Sequence, residues 1–424
     1  MEKLFVMLAG LLLLQSIFSL LACVRFARYA LAPQSARTSR NQLRAAVILP
    51  CRGLEPDFET NIRAFLTQDY RDYEIFFVVE SQQDPAYEAL TKIIKQSRRN
   101  AWLLIAGEAQ ACGQKVHNLL FALDTLDAND RRVEVLVFAD ADARPHKTWL
   151  AELVAPLHDR SVGATTGFRW YVPQQGGFAS WLTSAWNASA LSLLGERSGF
   201  TWGGSTAILR ESFNRLNLKQ RWRGAVSDDY VLTAALQATN QRIKFIPQCL
   251  VPTHADATLS QLLEFTTRQL KITRVYAPRV WQLTAVSNLL FNLTVWGGLA
   301  WLCTSGGRGA LNFLLALFLF TTLALGALTG MMRATIAAHL LTEDRQKIIT
   351  HRWLYALCAP LVPLVYLYNI TVSAFSRRIV WRGIGYEMVF ADVTRIWQRE
   401  PLTPTLLKVN EHATRKQKAP VRSS

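Results

Sequence analysis

Four long uncharged runs constrain this chain more than any other feature. Residues 4–24 (LFVMLAGLLLLQSIFSLLACV), 283–303 (LTAVSNLLFNLTVWGGLAWLC), 310–330 and 354–375 are each apolar enough and long enough to cross a bilayer. In hydrocarbon every backbone polar group must be bonded within its own segment, so such runs fold as helices. Between the first and the second run, residues 45–257 carry charges throughout and read as a water-soluble domain. The expected order is a transmembrane anchor (1–27), a soluble domain (45–257), a membrane-proximal amphipathic segment (258–282), membrane helices (283–375) and a basic tail (376–424). The first run exceeds the apolar core of a cleaved signal peptide, and Glu2 and Lys3 make a poor signal start, so it reads as a retained anchor. Arg25, Arg28, Arg37, Arg40 and Arg44 follow it closely. By the positive-inside rule they place the soluble domain in the cytoplasm, in a bacterial inner membrane or an ER/Golgi-type membrane.

The formal net charge of +16 does not argue for nucleic acid. The basic residues flank the apolar runs and fill the tail (KVNEHATRKQKAPVR) instead of lining one patch, which suits anionic lipid headgroups. Six cysteines show no C-x-x-C spacing, and Cys23, Cys303 and Cys358 lie in apolar runs. A disulfide framework and a structural zinc are thereby set aside. The membrane runs hold hardly any charges, which argues against a transporter. If the soluble domain and the tail share one side, an even number of crossings must separate them, yet three apolar runs follow residue 280. Pro360 and Pro363 interrupt helical hydrogen bonding in the last, so 354–375 is expected to be kinked or re-entrant.

Within the soluble domain, strand-like and helix-like stretches alternate. AVILP (46–50), EIFFVV (74–79), WLLI (102–105) and 134–139 read as strands; 58–68, 86–98 and a stretch near 115–125 read as helices. This is the pattern of βαβ units and predicts an α/β, Rossmann-like domain with a mostly parallel sheet. No G-x-G-x-x-G follows the first strand and there is no P-loop. From 168 to 206 the chain is rich in Trp, Gly and Ser, which suits either a site for a flat or greasy partner or a packed core with glycine turns.

Three acidic points stand out. Asp140 and Asp142 end the buried run VLVFA, at the strand end where ligands of parallel sheets collect. Two carboxylates so close need a positive partner, and hard oxygen ligands suit Mg2+ or Mn2+ carrying a phosphate. Asp84 follows the strand at 74–79, where Asp-Pro is also a common turn. Asp228 and Asp229 stand where a loop enters a helix, a position that also suits capping. His117 and His254 lie nearest these motifs and read as structural or nucleotide-side residues.

The order of Asp84 in DPA, GQKVHNL (113–119), DAD (140–142), WGGSTAILR (202–210), SDDYVL (227–232), RQLKITR (268–274) and WRG (381–383) resembles the family 2 inverting glycosyltransferases of GT-A fold. Among them it is similar to the ceramide glucosyltransferase family, including bacterial and hopanoid-associated members. The resemblance implies that Asp84 contacts the nucleotide and that Lys115, Asn118 and Asp140 lie near the nucleotide-sugar. Asp142, with Asp140, would hold the cation on the diphosphate. Asp229 would be the catalytic base, with Asp228 its supporting neighbour. Arg268, Gln269, Lys271 and Arg274 would serve the diphosphate or the acceptor. The last motif, usually (Q/R)-x-x-R-W, here has lysine at 271 and isoleucine at 272. The implied reaction moves one sugar from a UDP-sugar, UDP-glucose favoured, to a lipid hydroxyl, ceramide or a similar sphingolipid. A hopanoid-lipid or polyprenyl-phosphate glycosyltransferase, or an inactive membrane scaffold of the same fold, remain as alternatives. A single carboxylate base and a neutralised leaving group suffice for inverting transfer, so no nucleophile–histidine pair is needed. Before the second apolar run, Thr258 and Gln261 form a capping-box pattern, and the amphipathic segment they open is expected to lie at the membrane surface.

Overall fold

The computed structural model describes residues 1–33, 42–55, 57–129, 131–306 and 309–401. Arg37, Arg40 and the basic stretch from 402 onward lie outside the described residues. The first apolar run forms helix α1 (Glu2–Ala30). The soluble domain then alternates: β1 (Ala45–Pro50), α2 (Phe58–Leu66), β2 (Tyr73–Val79), α3 (Pro85–Gln96), β3 (Ala101–Ile105), α4 (Gln114–Ala128) and β4 (Val135–Ala139). Each end falls within two residues of the expected one, except that α4 extends to Ala128, beyond the stretch near 115–125. There follow α5 (Trp149–Val154), β5 (Val162–Tyr171), α6 (Phe178–Ala188), β6 (Ser205–Leu209), α7 (Arg210–Arg215), α8 (Leu218–Trp222), α9 (Asp228–Ala238) and β7 (Arg242–Thr253).

These strands make one seven-stranded sheet in the order β3-β2-β1-β4-β6-β5-β7. Strand β6 runs antiparallel to both neighbours, β4 and β5; every other pairing is parallel. The fold is thus the expected mixed α/β with a mostly parallel sheet and apolar helices toward both ends. The central strands are continuous apolar runs because helices cover both faces. Val47, Leu49, Ile75, Phe77 and Val137 pack on one side with Ile62, Phe65 and Leu90. Ile48, Phe76, Val78 and Phe138 pack on the other with Val116, Leu119 and Leu232. The loops after β1, β2 and β4, which hold Arg52, Asp84 and the Asp140–Asp142 pair, gather at the carboxyl edge.

Helix α10 (Leu259–Tyr276) starts on the capping box read from the sequence: Thr258 accepts from Gln261 N, and the Gln261 side chain accepts from Thr258 N. Helices α11 (Pro278–Thr304) and α12 (Ala310–Leu340), with α1, are long and apolar enough to cross a membrane. Helix α11 leads away from the soluble domain, since its far end brings Trp301 to Phe5 near the start of α1. Helix α12 leads back, with Phe318 against Gly10 and Ala334, Ala337 and Ala338 in the core that holds Phe26 and Trp181.

After α13 (Arg345–Thr350), the last apolar run forms two helices, α14 (Arg352–Cys358) and α15 (Val362–Phe375), bent by 53°. His351 stacks on Trp181 of the soluble domain as α14 begins, at 4.9 Å between ring centroids. The bend meets the middle of the other two helices, with Ala359 beside Gly326 and Pro363 O accepting from Asn292 at 3.0 Å. Helix α15 then returns: Ser373 Oγ accepts from Trp281, near the start of α11. The pair is bent, and its two ends lie beside Trp181 and Trp281, as a kinked or re-entrant form would have it.

Residues 376–424, expected as a tail, differ in their first part. They open with a three-stranded antiparallel sheet, β8 (Arg378–Trp381), β9 (Ile384–Phe390) and β10 (Val393–Arg399). The Arg382-Gly383 turn has positive φ at both residues, 50° and 74°, as a two-residue hairpin with the twist of its strands requires. One face of this sheet, Ile379, Ile384, Tyr386 and Met388, packs on Val226 and on Ile272 of α10.

Candidate active site

The carboxyl edge of the sheet holds a dense buried network of charge. Lys115, in the first turn of α4, donates to Asp140 Oδ1 at 2.9 Å, to Asp228 Oδ1 at 3.2 Å and to the Gly203 carbonyl at 3.4 Å. Arg169, from β5, donates to Asp140 Oδ2 at 2.9 Å and to Asp142 Oδ2 at 3.1 Å. Its guanidinium also donates to the Tyr171 hydroxyl at 3.0 Å and lies 4.9 Å from the Trp202 ring centre. Gly203 is needed where it stands, because a Cβ there would sit 2.4 Å from Asp228 Oδ2 and 2.8 Å from Lys115 Nζ. At Gly204 a Cβ would instead sit 2.2 Å from the Trp202 ring, so each of the paired glycines has its own reason.

The electrostatics follow from this packing. Burial alone would lower the Lys115 pKa, but Asp140 and Asp228 outweigh it and raise it. Burial likewise opposes the charge on Arg169, and Asp142, Tyr171 and Asp140 more than restore it. Burial would raise Asp140, yet Lys115 and Arg169 together pull it below the usual carboxylate range. Asp142 is raised by burial and by Asp140, against the pull of Arg169. Asp228 is pushed up to about 6 by burial, in spite of Lys115.

Asp229, like Asp140 and Asp142, is only partly buried. It stands at the start of α9, one residue beyond Asp228, and Ser227 caps that helix. Asp229 Oδ1 accepts from Ser227 Oγ and from Tyr230 N at 2.8 Å; Oδ2 faces Gly203 N at 3.4 Å.

Asp84 caps α3, accepting from Ala86 N and from Gly53 N at 2.9 Å each, so it ties the loop after β1 to the loop after β2. Its Oδ2 is buried without a partner, as is Asp142 Oδ1. Asn118 is held in place: it donates to Val78 O at 3.1 Å and accepts from Gln114 at 2.8 Å. Arg268 lies 5.6 Å from the Trp381 ring centre and 5.7 Å from that of Phe265, with Glu264 at 3.9 Å. Gln269 accepts from Thr273 Oγ1 through its backbone oxygen at 2.8 Å. Lys271 donates to Arg378 O at 2.7 Å, and Arg274 to Ser373 O at 2.6 Å. The structure therefore brings Lys115, Asp140, Asp142, Asp228 and Asp229 into one cluster. Lys271 and Arg274 instead join α10 to β8 and α15.

Isoleucine at 272, set where a tryptophan usually stands, is 6% exposed beneath the C-terminal sheet. Sequence reasoning missed Arg169, although its signal was present: it is the one charged residue in the ten-residue strand VGATTGFRWY. It also missed Arg52, Glu80 and Arg399. Buried Glu80 pairs with Arg52 and, at 2.7 Å, with Arg399, which fastens β10 to the ends of β1 and β2. Of the aromatic stretch, Trp170, Trp181 and Trp186 are core, while Trp202 faces Arg169.

Among the described residues, no group of three or more His, Cys, Asp or Glu side chains is arranged to enclose a metal ion. The Asp142 oxygen without a partner, in an all-carboxylate donor set beside Asp140, nonetheless fits a cation that takes one or two protein ligands and fills its shell from a bound phosphate.

Comparison with known proteins gives three findings. The model of glycosyl transferase family 21 matches residues 8–390. Over 76 residues the chain is 30% identical to ceramide glucosyltransferase 1 of Caenorhabditis elegans; the match spans 18% of this chain and 16% of the nematode protein. Two solved structures share features at low identity. A mannosyltransferase from Pyrobaculum calidifontis, in complex with GDP-Man and Mn2+, is 18% identical, with 85% of this chain and 99% of that chain covered and a TM-score of 0.45. GalNAc-T7 with UDP, GalNAc and Mn2+ is 17% identical, with 55% and 48% covered and a TM-score of 0.36.

Proposed function

The chain belongs to glycosyl transferase family 21, and from that premise we propose that it moves a single sugar from a UDP-sugar, UDP-glucose first, to the hydroxyl of a membrane lipid with inversion. Ceramide or a similar sphingoid lipid is the proposed acceptor, supported by the name of the nematode relative. The observation that carries the reading is the placement of Asp229: a partly buried carboxylate on a helix start, beside a cluster that pairs two cations with three acids. Asp229 takes the proton of the acceptor hydroxyl as that oxygen attacks the anomeric carbon. Ser227 Oγ, Tyr230 N and Gly203 N orient its carboxylate. Lys115 sits between Asp140 and Asp228 and keeps its charge, ready to offset the negative charge that develops on the leaving diphosphate. Asp84 Oδ2, buried and without a partner, serves the nucleotide.

Asp142, through Oδ1, and Asp140 would hold Mg2+ or Mn2+. Bound there, the cation supplies Lewis-acid neutralisation of the diphosphate. The lipid reaches the site along α10, whose Arg268 and Phe265 lead, through Tyr171 of β5, by successive contacts to Arg169. By the positive-inside rule, Arg25 and Arg28 near the end of α1 support a cytoplasmic setting for this face of the membrane.

Lipid mass spectrometry on a ceramide-containing host that expresses the chain or its Asp229→Asn variant tests this. A new hexosyl-ceramide should accumulate with the wild type and fall by roughly 10²–10⁴-fold with the variant. Unchanged ceramides at full expression would remove ceramide as acceptor, and hopanoid and polyprenyl-phosphate lipids would be assayed in its place.

A further inference from the structure

The positive partner that Asp140 and Asp142 require is supplied by the chain itself. Arg169 bridges them at 2.9 and 3.1 Å; of the two oxygens it leaves, Asp140 Oδ1 goes to Lys115 and Asp142 Oδ1 is buried without a partner. Counting charges, Asp140, Asp142, Asp228 and Asp229 face Lys115 and Arg169, so two cations are set against four carboxylates. We propose that Arg169 is a positioning residue that closes the cation site until the donor arrives: it holds Asp140 and Asp142 in the empty chain and releases Asp142 when a diphosphate offers it another anion. This rests on the donor reading above and adds an order of binding to it.

A guanidinium does not lose its proton in a protein, so Arg169 cannot clear the way by titrating and has to move. A divalent cation arriving alone would meet that fixed positive charge in contact with both of its ligands, and like charges at such short range repel strongly. A cation arriving with a diphosphate brings at least as much negative charge as positive. Arg169 then exchanges a carboxylate for a phosphate oxygen and loses no ion pair. Its planar fork suits either anion, in the bidentate manner that lysine cannot copy. Trp202, 4.9 Å from the guanidinium, and the Tyr171 hydroxyl at 3.0 Å belong to neither acid and can hold the group as it turns.

The test is Mn2+ binding to the detergent-purified full chain, followed by electron paramagnetic resonance with MnCl2, first without nucleotide and then with UDP. Without nucleotide, Arg169→Gln is expected to bind Mn2+ about tenfold more tightly than the wild type, and the gain in Mn2+ affinity caused by UDP should shrink by a similar factor. Arg169→Lys should fall between, because one ammonium cannot bridge both carboxylates. Equal or weaker binding by Arg169→Gln overturns the proposal. If that variant does not fold, Arg169→Lys decides, and no tightening there overturns it equally. Asp142→Asn separates the two readings. If Mn2+ binding with UDP is absent in the wild type or survives Asp142→Asn, the metal assignment falls and takes this proposal with it. If that binding needs Asp142 while the Arg169 variants bind no tighter, the role of Arg169 alone falls.

Discussion

Asp228 shows how much of this site is set by single side chains. It is 4% exposed, and its carboxyl is pushed up to about 6 by burial although Lys115 stands 3.2 Å away. Its folded pKa thus lies above the unfolded value near 3.8, so the folded state binds the extra proton. The stability this contributes is fully present below the unfolded value and is lost as pH rises through about 6. Asp228→Asn cannot titrate. The stability of wild type relative to Asp228→Asn should therefore fall by on the order of 2 kcal/mol between pH 4 and pH 7, read from paired thermal unfolding curves in detergent. A difference that stays flat across that range would show that Asp228 remains ionised. At this scale the sequence told where the acids are, since two carboxylates after an apolar strand are conspicuous. It did not tell what they touch. Arg169 is 27 positions beyond Asp142 and meets it only because β5 lies in the same sheet as β4, across β6.

At the scale of elements, legibility followed burial. Strands β1, β2 and β4 are covered on both faces and read as unbroken apolar runs, and α10 announced its start through Thr258 and Gln261. The C-terminal sheet was read as tail because its outer strands, RIVW and VTRIWQR, are short, partly exposed and basic, and IGYEMVF between them is a lone seven-residue run. Its signals were the alternation of Ile384, Tyr386 and Met388 and the Arg-Gly turn, both too brief to stand out among so many arginines. The sheet reaches deep into the donor edge: the Tyr386 hydroxyl accepts from Gln114 N at 3.1 Å, and Thr394 donates to Gly224 O at 2.7 Å. Ile272 is part of what holds it there. Replacing it with the usual tryptophan puts a larger ring into a filled contact with Val226, Ile379 and Met388. Ile272→Trp should cost about 1–3 kcal/mol by overpacking and loosen β8–β10. Lower thermal stability with faster proteolysis between 376 and 400 is the expected outcome; an unchanged protein would show that the cluster has room to spare.

For the whole molecule the argument turns on parity. The sheet β8–β10 touches the soluble domain through Arg399–Glu80 and Tyr386–Gln114, so both ends of the membrane segment lie on one side. Helices α11 and α12 go out and return, and that already makes the even number. The α14–α15 pair begins at Trp181, bends at the level of Gly326 and Asn292, and ends beside Trp281 near the start of α11. Small residues permit this: a Cβ on Gly330 would come within 2.8 Å of Tyr355 O, so α12 and α14 pack backbone to backbone. Hydropathy alone counts the pair as a fourth span, because composition reports length of apolar chain and not where a bend sends it. The six cysteines provide the test, since five are buried and Cys303, at the outer end of α11, is exposed. In sealed vesicles, a membrane-impermeant maleimide should label Cys303 from the face opposite the catalytic domain. In a Cys303→Ser background, Asp392→Cys, on the exposed β9–β10 turn, should label from the catalytic face. Labelling of both from one face would mean that α11 and α12 do not cross. Labelling of each from the other's expected face would invert the whole chain and place sugar transfer outside the cytoplasm, away from the nucleotide-sugar pool that the proposed reaction draws on.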